Sequence, residues 1–239
     1  MNAKSGSSNL GPYRESVSML RPFSVQSLRA VFFDFDRTLS DTRLDFPELR
    51  RRGLAALASF VPVSGDGSMP MMERMAEVLA SLEPDVAAQA EAAALKAMEE
   101  VEVEAGRRSS LFPYAKDILL SLRERGIASA IVTRNCPQAV YAVFPDLDDY
   151  CACVLTRNHV KKVKPDPEHL GLALQRSSCL CGEALMVGDH AMDIEAGKRA
   201  GTHTAAVLTG EGSFAELMAV RPDVMAPDAG ALMRGLGLL

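Results

Sequence analysis

Two aspartates separated by one residue follow a run of apolar residues in the first quarter of the sequence. The stretch AVFFDFDRTLSD, residues 30–41, places Asp34 and Asp36 where a buried strand would end. Two neighbouring carboxylates repel each other, and an apolar environment disfavours their charged forms. The pair therefore predicts either solvated carboxylates beyond the strand or a cation held between them.

Other short apolar runs are followed by polar residues that suit the same chemistry: Thr133, Lys164, Asp189 and, one helical turn later, Asp193. A donor set made mainly of carboxylates favours a hard cation, of which Mg²⁺ is the first candidate. A cation, a lysine and a hydroxyl around one point suit a phosphoryl group. An aspartate beside that group can act as a covalent nucleophile.

The elements that must position these residues alternate between short apolar strands and amphipathic helices. Strands are predicted at Val31–Phe33, Ala128–Val132, Tyr150–Leu155, Ala184–Val187 and Thr204–Leu208. Helices are predicted at Lys116–Arg125, Pro137–Phe144, Glu168–Arg176, Met192–Ala200 and Asp228–Leu236. This alternation is typical of a parallel sheet covered by helices on both faces. Because ligands bind such sheets beyond the carboxyl ends of the strands, we expect the polar residues to meet at one edge.

Residues 44–109 interrupt the alternation and predict an all-helical insertion. They are rich in Ala, Met, Leu and Glu, and helices are predicted at Leu44–Phe60, Met71–Leu82 and Pro84–Arg107, with a loop over 62–70. The Glu-rich stretch EEVEVE, residues 99–104, is predicted to be a solvated helix face. The core would then consist of residues 29–43 and 110–239, and residues 1–28 are predicted to be a disordered tail.

Four short motifs resemble those of the haloacid dehalogenase-like hydrolases and occur in the expected order. They are DFDRTL at 34–39, IVTRN at 131–135, KPDP at 164–167 and GDHAMD at 188–193. The pattern is similar to the phosphoglycolate-phosphatase-type branch, and the helical insertion falls where the family has its first cap domain. The resemblance implies an α/β fold with a Rossmann-like parallel sheet, flanked by helices, and an inserted helical cap over residues 44–109.

The resemblance also implies a role for each motif residue. Asp34 would be the nucleophile that forms an aspartyl-phosphate, and Asp36 the general acid and then the general base. Lys164 would hold the phosphoryl group and Asp34. The residues implied in substrate binding are Thr38, Thr133, Arg134, Asn135 and Lys164. Those implied in Mg²⁺ binding are Asp34, Asp36 through its backbone carbonyl, Asp189, and Asp193 either through water or by steadying Lys164.

Two positions within the four motifs depart from the family pattern. Position 37 is often glycine and position 190 often serine, whereas this chain has Arg37 and His190. The first departure bears on the conformation of the loop after Asp36. We expect His190 to lie at the surface or behind the site, with contact to substrate as the alternative.

These residues together predict a Mg²⁺-dependent phosphatase, a phosphoric monoester hydrolase, that acts on a small phosphorylated metabolite. A phosphomutase of the same fold and a non-catalytic phosphate-binding module are the alternatives. Dehalogenation is disfavoured because a dehalogenase has no leaving oxygen to protonate and needs no acid at position 36. Arg43 and the three arginines at 50–52 are candidates for recognising an anionic substrate, although adjacent residues on a helix point in different directions.

The composition limits the partners of the chain. Its 239 residues carry a net charge of −5, which argues against a general nucleic-acid or membrane-surface binder. No apolar run approaches the ~18 residues of a membrane span. We expect a monomer or homodimer in the cytoplasm. The mitochondrion is an alternative, because residues 1–28 contain three basic residues, Lys4, Arg14 and Arg21, and a single acidic one. The five cysteines favour reduced intracellular thiols over a zinc site.

Overall fold

The computed structural model describes residues 16–63, 69–210 and 212–239, and its core is a mainly parallel β-sheet. The strands within these residues are β1 Ser18–Met19, β2 Ala30–Phe33, β3 Ala128–Val132, β4 Cys153–Leu155, β5 Ala184–Gly188, β6 His203–Val207 and β7 Val224–Ala226. Their order across the sheet is β1-β7-β6-β5-β2-β3-β4. Neighbouring strands are parallel except β1 and β7, so the predicted parallel sheet is confirmed.

Helices cover both faces of the sheet. The α-helices within the described residues are α1 Phe46–Leu57, α2 Met71–Leu79, α3 Pro84–Arg107, α4 Ala115–Glu124, α5 Pro137–Val143, α6 Glu168–Ser177, α7 Ala191–Ala200, α8 Phe214–Ala219 and α9 Ala229–Gly235. Successive side chains of a strand point to opposite faces. Accordingly, Val31 and Phe33 pack in the core with α4, α5 and α9, while Ala30 and Phe32 pack with α6 and α7. None of the helices in the described part of the chain has both the length and the apolar composition needed to cross a membrane.

The register of the three central strands brings their carboxyl ends to one level. Phe33, the last residue of β2, lies opposite Ile131 of β3 and Val187 of β5. All the residues of β2 are fully buried, which fixes which face each side chain occupies. The polar residues that directly follow these strands therefore meet at one edge of the sheet.

The helices α1, α2 and α3 pack around an apolar cluster of their own. Its buried members are Leu49, Leu57, Met71, Met75, Val78, Ala90, Ala94, Met98 and Val101. All three predicted helices are present, although α2 ends at Leu79, before the predicted Leu82. Of the predicted loop over 62–70, residues 64–68 lie outside the described residues. Helix α3 also touches α5, where a Cβ on Gly106 would lie 2.7 Å from the carbonyl oxygen of Ala139.

The N-terminal segment departs from the prediction of a disordered tail as far as residue 28. Residues 1–15 lie outside the described residues, but Ser18–Met19 pair with β7 as an antiparallel edge strand. Leu28 is 2% exposed, and the ring of Phe23 stacks on His203 with 4.3 Å between centroids. The prediction is therefore wrong for this stretch, because pairing with a sheet edge orders residues that have little local pattern.

The remaining differences concern short elements. The strand predicted at Tyr150–Leu155 is formed only at Cys153–Leu155, because Leu147–Asp149 make a 3₁₀ turn. Leu147 is buried and Tyr150 packs in the same core as Phe144, so their apolar character reflects packing of a turn. Helix α8 and strand β7 have no counterpart in the prediction.

Candidate active site

Lys164 joins two carboxylates at the carboxyl edge of the sheet. Its Nζ lies 2.8 Å from Oδ1 of Asp34 and 2.6 Å from Oδ1 of Asp193, and its side chain is only 2% exposed. Burial lowers the pKa of a lysine, but the two carboxylates outweigh this effect and raise the pKa of Lys164. The lysine therefore stays charged and orients Asp34, whose side chain remains 15% exposed.

Asp189 completes a group of three carboxylates with Asp34 and Asp193. One oxygen from each lies within 4.8 Å of the others. The hydroxyl of Thr38 donates a hydrogen bond to Oδ1 of Asp189 at 3.0 Å. Burial, reinforced by the charges of Asp34 and Asp193, raises the pKa of Asp189 well above its usual range. A hard cation would relieve this repulsion, and a donor set of carboxylate oxygens fits Mg²⁺.

Two glycines leave the space that these carboxylates occupy. A Cβ on Gly188 would lie 2.3 Å from Cγ of Asp193, and one on Gly210 would lie 2.0 Å from Oδ2 of Asp189. Gly210 was not among the predicted site residues. It follows the strand β6 by three residues, so the strand-end rule that located the aspartates could have located it too.

Asp36 has a different partner from the three grouped carboxylates. The side-chain amide of Asn135 donates to its Oδ2 at 2.9 Å, and the backbone N–H of Asn135 donates to Oγ1 of the buried Thr133 at 3.1 Å. Burial, followed by the charge of Asp34, raises the pKa of Asp36 to about 7, while the hydrogen bond from Asn135 opposes the shift. Of the four predicted metal-binding aspartates, the structure thus brings the side chains of three together and fixes the fourth through Asn135.

A comparison with known families assigns the chain. The family model described as haloacid dehalogenase-like hydrolase matches residues 31–207. The chain belongs to this family. The hydrolase is 32% identical over 193 residues to N-acetylmuramic acid 6-phosphate phosphatase of Pseudomonas putida, a match that covers 77% of this chain and 84% of that protein.

Two further comparisons agree with the family and the fold. The hydrolase is 25% identical over 219 residues to phosphoglycolate phosphatase of Vibrio cholerae, covering 87% of this chain and 97% of that protein. Its structure resembles that of a haloacid dehalogenase-like hydrolase from Bacteroides fragilis, with a TM-score of 0.63, 21% identity and coverage of 86% of this chain and 99% of that one. The α/β fold and the family predicted from the four motifs are therefore confirmed.

Arg37 keeps the loop of this hydrolase in a backbone conformation that favours glycine. Its φ is 61°, in the left-handed region, which costs a residue with a Cβ about 1–2 kcal/mol. The guanidinium of Arg37 donates to the carbonyl of Asp41 at 3.3 Å and lies 5.9 Å from the ring centroid of Phe112. These contacts offset part of the cost, so the departure from glycine preserves the tight turn after Asp36.

His190 acts as the N-cap of α7. Its Nδ1 accepts a hydrogen bond from the backbone N–H of Met192 at 3.2 Å. The backbone N–H of His190 donates to Oδ2 of Asp193 at 3.1 Å. A serine performs the same capping through its hydroxyl. The exposed imidazole therefore replaces the usual capping side chain, and its described contacts are with the helix.

Two of the arginines considered for substrate recognition form ion pairs within the insertion. Arg51 and Arg52 both contact Glu48, each with Nε 2.7 Å from a carboxylate oxygen. Arg43 lines a groove together with Arg52 and Glu104. These contacts place Arg51 and Arg52 in an ion-pair network of α1.

Arg134, in contrast, reaches from the sheet edge to the insertion. Its Nη2 lies 2.9 Å from a carboxylate oxygen of Glu73 on α2. Its Nη1 also contacts the sulfur of Met192 at the start of α7. Arg134, one of the residues predicted to bind substrate, thus contacts both the core and the insertion. Glu73 was not predicted, since its role depends on a contact between distant segments.

A second ion pair between insertion and core is buried. Arg157, which follows β4, contacts Glu102 on α3, and the two side chains are 2% and 3% exposed. Burial raises the pKa of Glu102, while Arg157 opposes the shift. The prediction that the Glu-rich stretch is a solvated face is thus wrong for Glu102. The sequence did indicate that Glu102 is buried, because it belongs to a series of residues spaced four apart on one face of α3. The buried members of this series are Ala90, Ala94, Met98, Glu102 and Gly106.

Replacing Glu102 with leucine should strongly destabilise the fold. The change leaves Arg157 buried without its counter-charge, which typically costs about 3–5 kcal/mol in the free energy of unfolding. Urea denaturation followed by circular dichroism measures the loss. The matched control is Glu104→Leu, since Glu104 pairs with Arg108 at the surface, where the side chains are 54% and 75% exposed. Equal losses in the two variants would contradict a structural role for the buried pair.

Proposed function

We propose that this phosphatase hydrolyses a small phosphomonoester through an aspartyl-phosphate on Asp34, with Mg²⁺ bound beside it. The observation that carries the proposal is the contact of Lys164 with both Asp34 and Asp193, next to Asp189. It combines a nucleophilic carboxylate, a fixed positive charge and a set of metal-binding oxygens at one point. Both named relatives are phosphatases, which supports the reaction class.

The reaction would proceed in two displacements at phosphorus. In the first, a carboxylate oxygen of Asp34 attacks as the bond to the ester oxygen breaks, and Asp36 donates a proton to that oxygen, so a neutral alcohol leaves. In the second, Asp36 accepts a proton from water, whose oxygen attacks phosphorus and breaks the bond to Asp34. Inorganic phosphate leaves and both aspartates return to their starting forms. Lys164 and Thr133 would contact the phosphoryl oxygens throughout.

The metal would be held by Asp34 and Asp189 through their carboxylates and by the backbone carbonyl of Asp36. Both carboxylate oxygens of Asp193 already have partners, Lys164 at 2.6 Å and the N–H of His190 at 3.1 Å. This arrangement favours the role of Asp193 in steadying Lys164. Bound Mg²⁺ would supply positive charge against the phosphoryl oxygens.

We further propose that residues 44–109 form a cap over the site. The support is that α1–α3 pack around their own apolar cluster while Glu73 of α2 contacts Arg134 at the sheet edge. A cap that closes over substrate would exclude bulk water during phosphoryl transfer. The side chains of the cap that face the leaving group would then contribute to substrate choice.

The direct test is phosphate release from a panel of phosphorylated metabolites in the presence of Mg²⁺. A phosphatase releases stoichiometric inorganic phosphate and the free alcohol. Conversion of a hexose phosphate to its isomer without phosphate release would instead identify a phosphomutase. Saturable binding with no turnover on any compound would identify a phosphate-binding module.

Asp36→Asn should slow turnover by about 10²–10⁴-fold, the usual contribution of a general acid–base group. The variant lacks both the proton donor of the first step and the base of the second. With p-nitrophenyl phosphate the leaving oxygen needs little protonation, so the first step should survive better than the second. Rapid mixing should then show a burst of at most about one equivalent of nitrophenol, followed by slow release. Wild-type rates on an alkyl phosphate would show that Asp36 has another role.

A further inference from the structure

The side chain of Arg134 joins the ends of two parts of the sheet. Arg134 follows β3, and its guanidinium contacts Met192 at the start of α7, which follows β5. Strand β2 lies between β3 and β5 in the sheet, and it ends at Phe33, directly before Asp34. A side chain that connects these two positions therefore lies across the end of β2, on the side of the sheet edge where Asp34 follows the strand.

The guanidinium of Arg134 is paired with a carboxylate that another anion could displace. Its partner Glu73 comes from α2, and the two side chains are 20% and 36% exposed. The buried pair of Arg157 with Glu102 differs sharply, with side chains 2% and 3% exposed. Partly exposed ion pairs contribute little to stability, so another oxyanion can replace Glu73 without a large energetic cost.

The charge of the transferring phosphoryl group already has other partners. Lys164 is buried between Asp34 and Asp193, and the grouped carboxylates are suited to a cation. The planar guanidinium of Arg134 suits a second anion, because its parallel N–H groups match the two oxygens of a carboxylate or the oxygens of a phosphate. Glu73 is itself a carboxylate and occupies that position in the structure.

We propose that Arg134 binds a second anionic group on the leaving-group side of the substrate, in exchange for Glu73. The inference rests on the proposed phosphatase function and narrows its substrates to phosphomonoesters that carry a further carboxylate or phosphate. Glu73 would act as an internal competitor that is displaced as the substrate enters. Alcohol phosphates without a second charge would leave the ion pair in place.

Matched substrates test this preference in the full-length enzyme with Mg²⁺. Two pairs differ by a carboxylate in place of a hydroxymethyl group: 2-phosphoglycolate with 2-hydroxyethyl phosphate, and 3-phosphoglycerate with glycerol 3-phosphate. A charge-assisted pair predicts that kcat/KM favours the carboxylate-bearing member of at least one pair by about 10- to 100-fold. Arg134→Gln should bring that ratio close to one, and Arg134→Lys should retain only part of it.

Removing the competitor should have the opposite effect. Glu73→Gln should raise kcat/KM for the carboxylate substrates by about 2- to 5-fold and leave kcat/KM for their hydroxymethyl counterparts unchanged. The matched control is Glu77→Gln on the same helix, because Glu77 is 57% exposed and is paired with Arg74 of its own helix. It should leave every ratio unchanged. An equal loss for both members of each pair in Arg134→Gln would assign Arg134 to the phosphoryl group and overturn the proposal.

A binding measurement separates this proposal from the proposed function. Calorimetric titration compares 3-phosphonopropionate with propylphosphonate, neither of which can be hydrolysed as an ester. Tighter binding of the first in the wild type, lost in Arg134→Gln, would support the anion site even if the panel showed no phosphatase activity. Hydrolysis of phosphomonoesters without any preference in either assay would leave the phosphatase standing and refute the second anion site.

Discussion

Asp34→Asn is expected to reduce phosphate release to the background rate on every substrate. An amide is a poor nucleophile, and removing a covalent nucleophile typically costs on the order of 10⁶-fold in kcat. The loss should be independent of the leaving group, since no aspartyl-phosphate forms. Rapid mixing with excess p-nitrophenyl phosphate should show no burst of nitrophenol, in contrast to Asp36→Asn.

Asp117→Asn is the matched control for this experiment. Asp117 lies exposed in the first turn of α4, so the same chemical change occurs away from the sheet edge. Its activity should equal that of the wild type. Circular dichroism of both variants checks that the fold is kept. Turnover by Asp34→Asn above a tenth of the wild-type rate would show that a different group attacks phosphorus.

Removal of divalent cations is the second change expected to abolish activity. Asp34, Asp189 and Asp193 crowd their oxygens together, and a cation offsets this charge while it helps to neutralise the phosphoryl group. Excess chelator should stop phosphate release and added Mg²⁺ should restore it. Ca²⁺ should support activity poorly, because it prefers more ligands in a looser arrangement.

A readout of metal binding accompanies the activity assay. Mn²⁺, which accepts the same oxygen ligands, can be followed by paramagnetic resonance. Asp189→Asn should weaken Mn²⁺ binding, because it removes one of the grouped carboxylates, whereas Asp117→Asn should not. Full activity in excess chelator, or undiminished Mn²⁺ binding by Asp189→Asn, would remove the basis for the metal assignment.

The central strands could be predicted because local sequence determines much of their position. The run from Ala30 to Phe33 is apolar at every position and is followed at once by an aspartate, which marks both the strand and its end. The apolar runs that end at Val132 and Gly188 are likewise followed at once by a polar residue, so the meeting of Asp34, Thr133 and Asp189 at one edge follows from the parallel sheet.

Contacts between distant segments could not be predicted in the same way. The pairing of Glu73 with Arg134 depends on how α2 lies relative to the sheet, and no local pattern in the sequence specifies that placement. The same holds for Ser18–Met19, which become a strand only because β7 offers an edge. Glu102 could be predicted in part. Its helical spacing indicates that it is buried, but its partner Arg157, 55 residues away, could not be inferred from local sequence.

The buried pair of Glu102 and Arg157 limits how this protein can be recombined with its relatives. A chimera that received the helical segment of another hydrolase would keep Arg157 on the host and lose Glu102 with the replaced helix. Such a graft would leave a buried cation without a counter-ion, so it should fold poorly unless the donor has an acid at the matching turn. Helix α3 and the loop after β4 should therefore be transferred together, and the crossover points of a designed hybrid should not separate them.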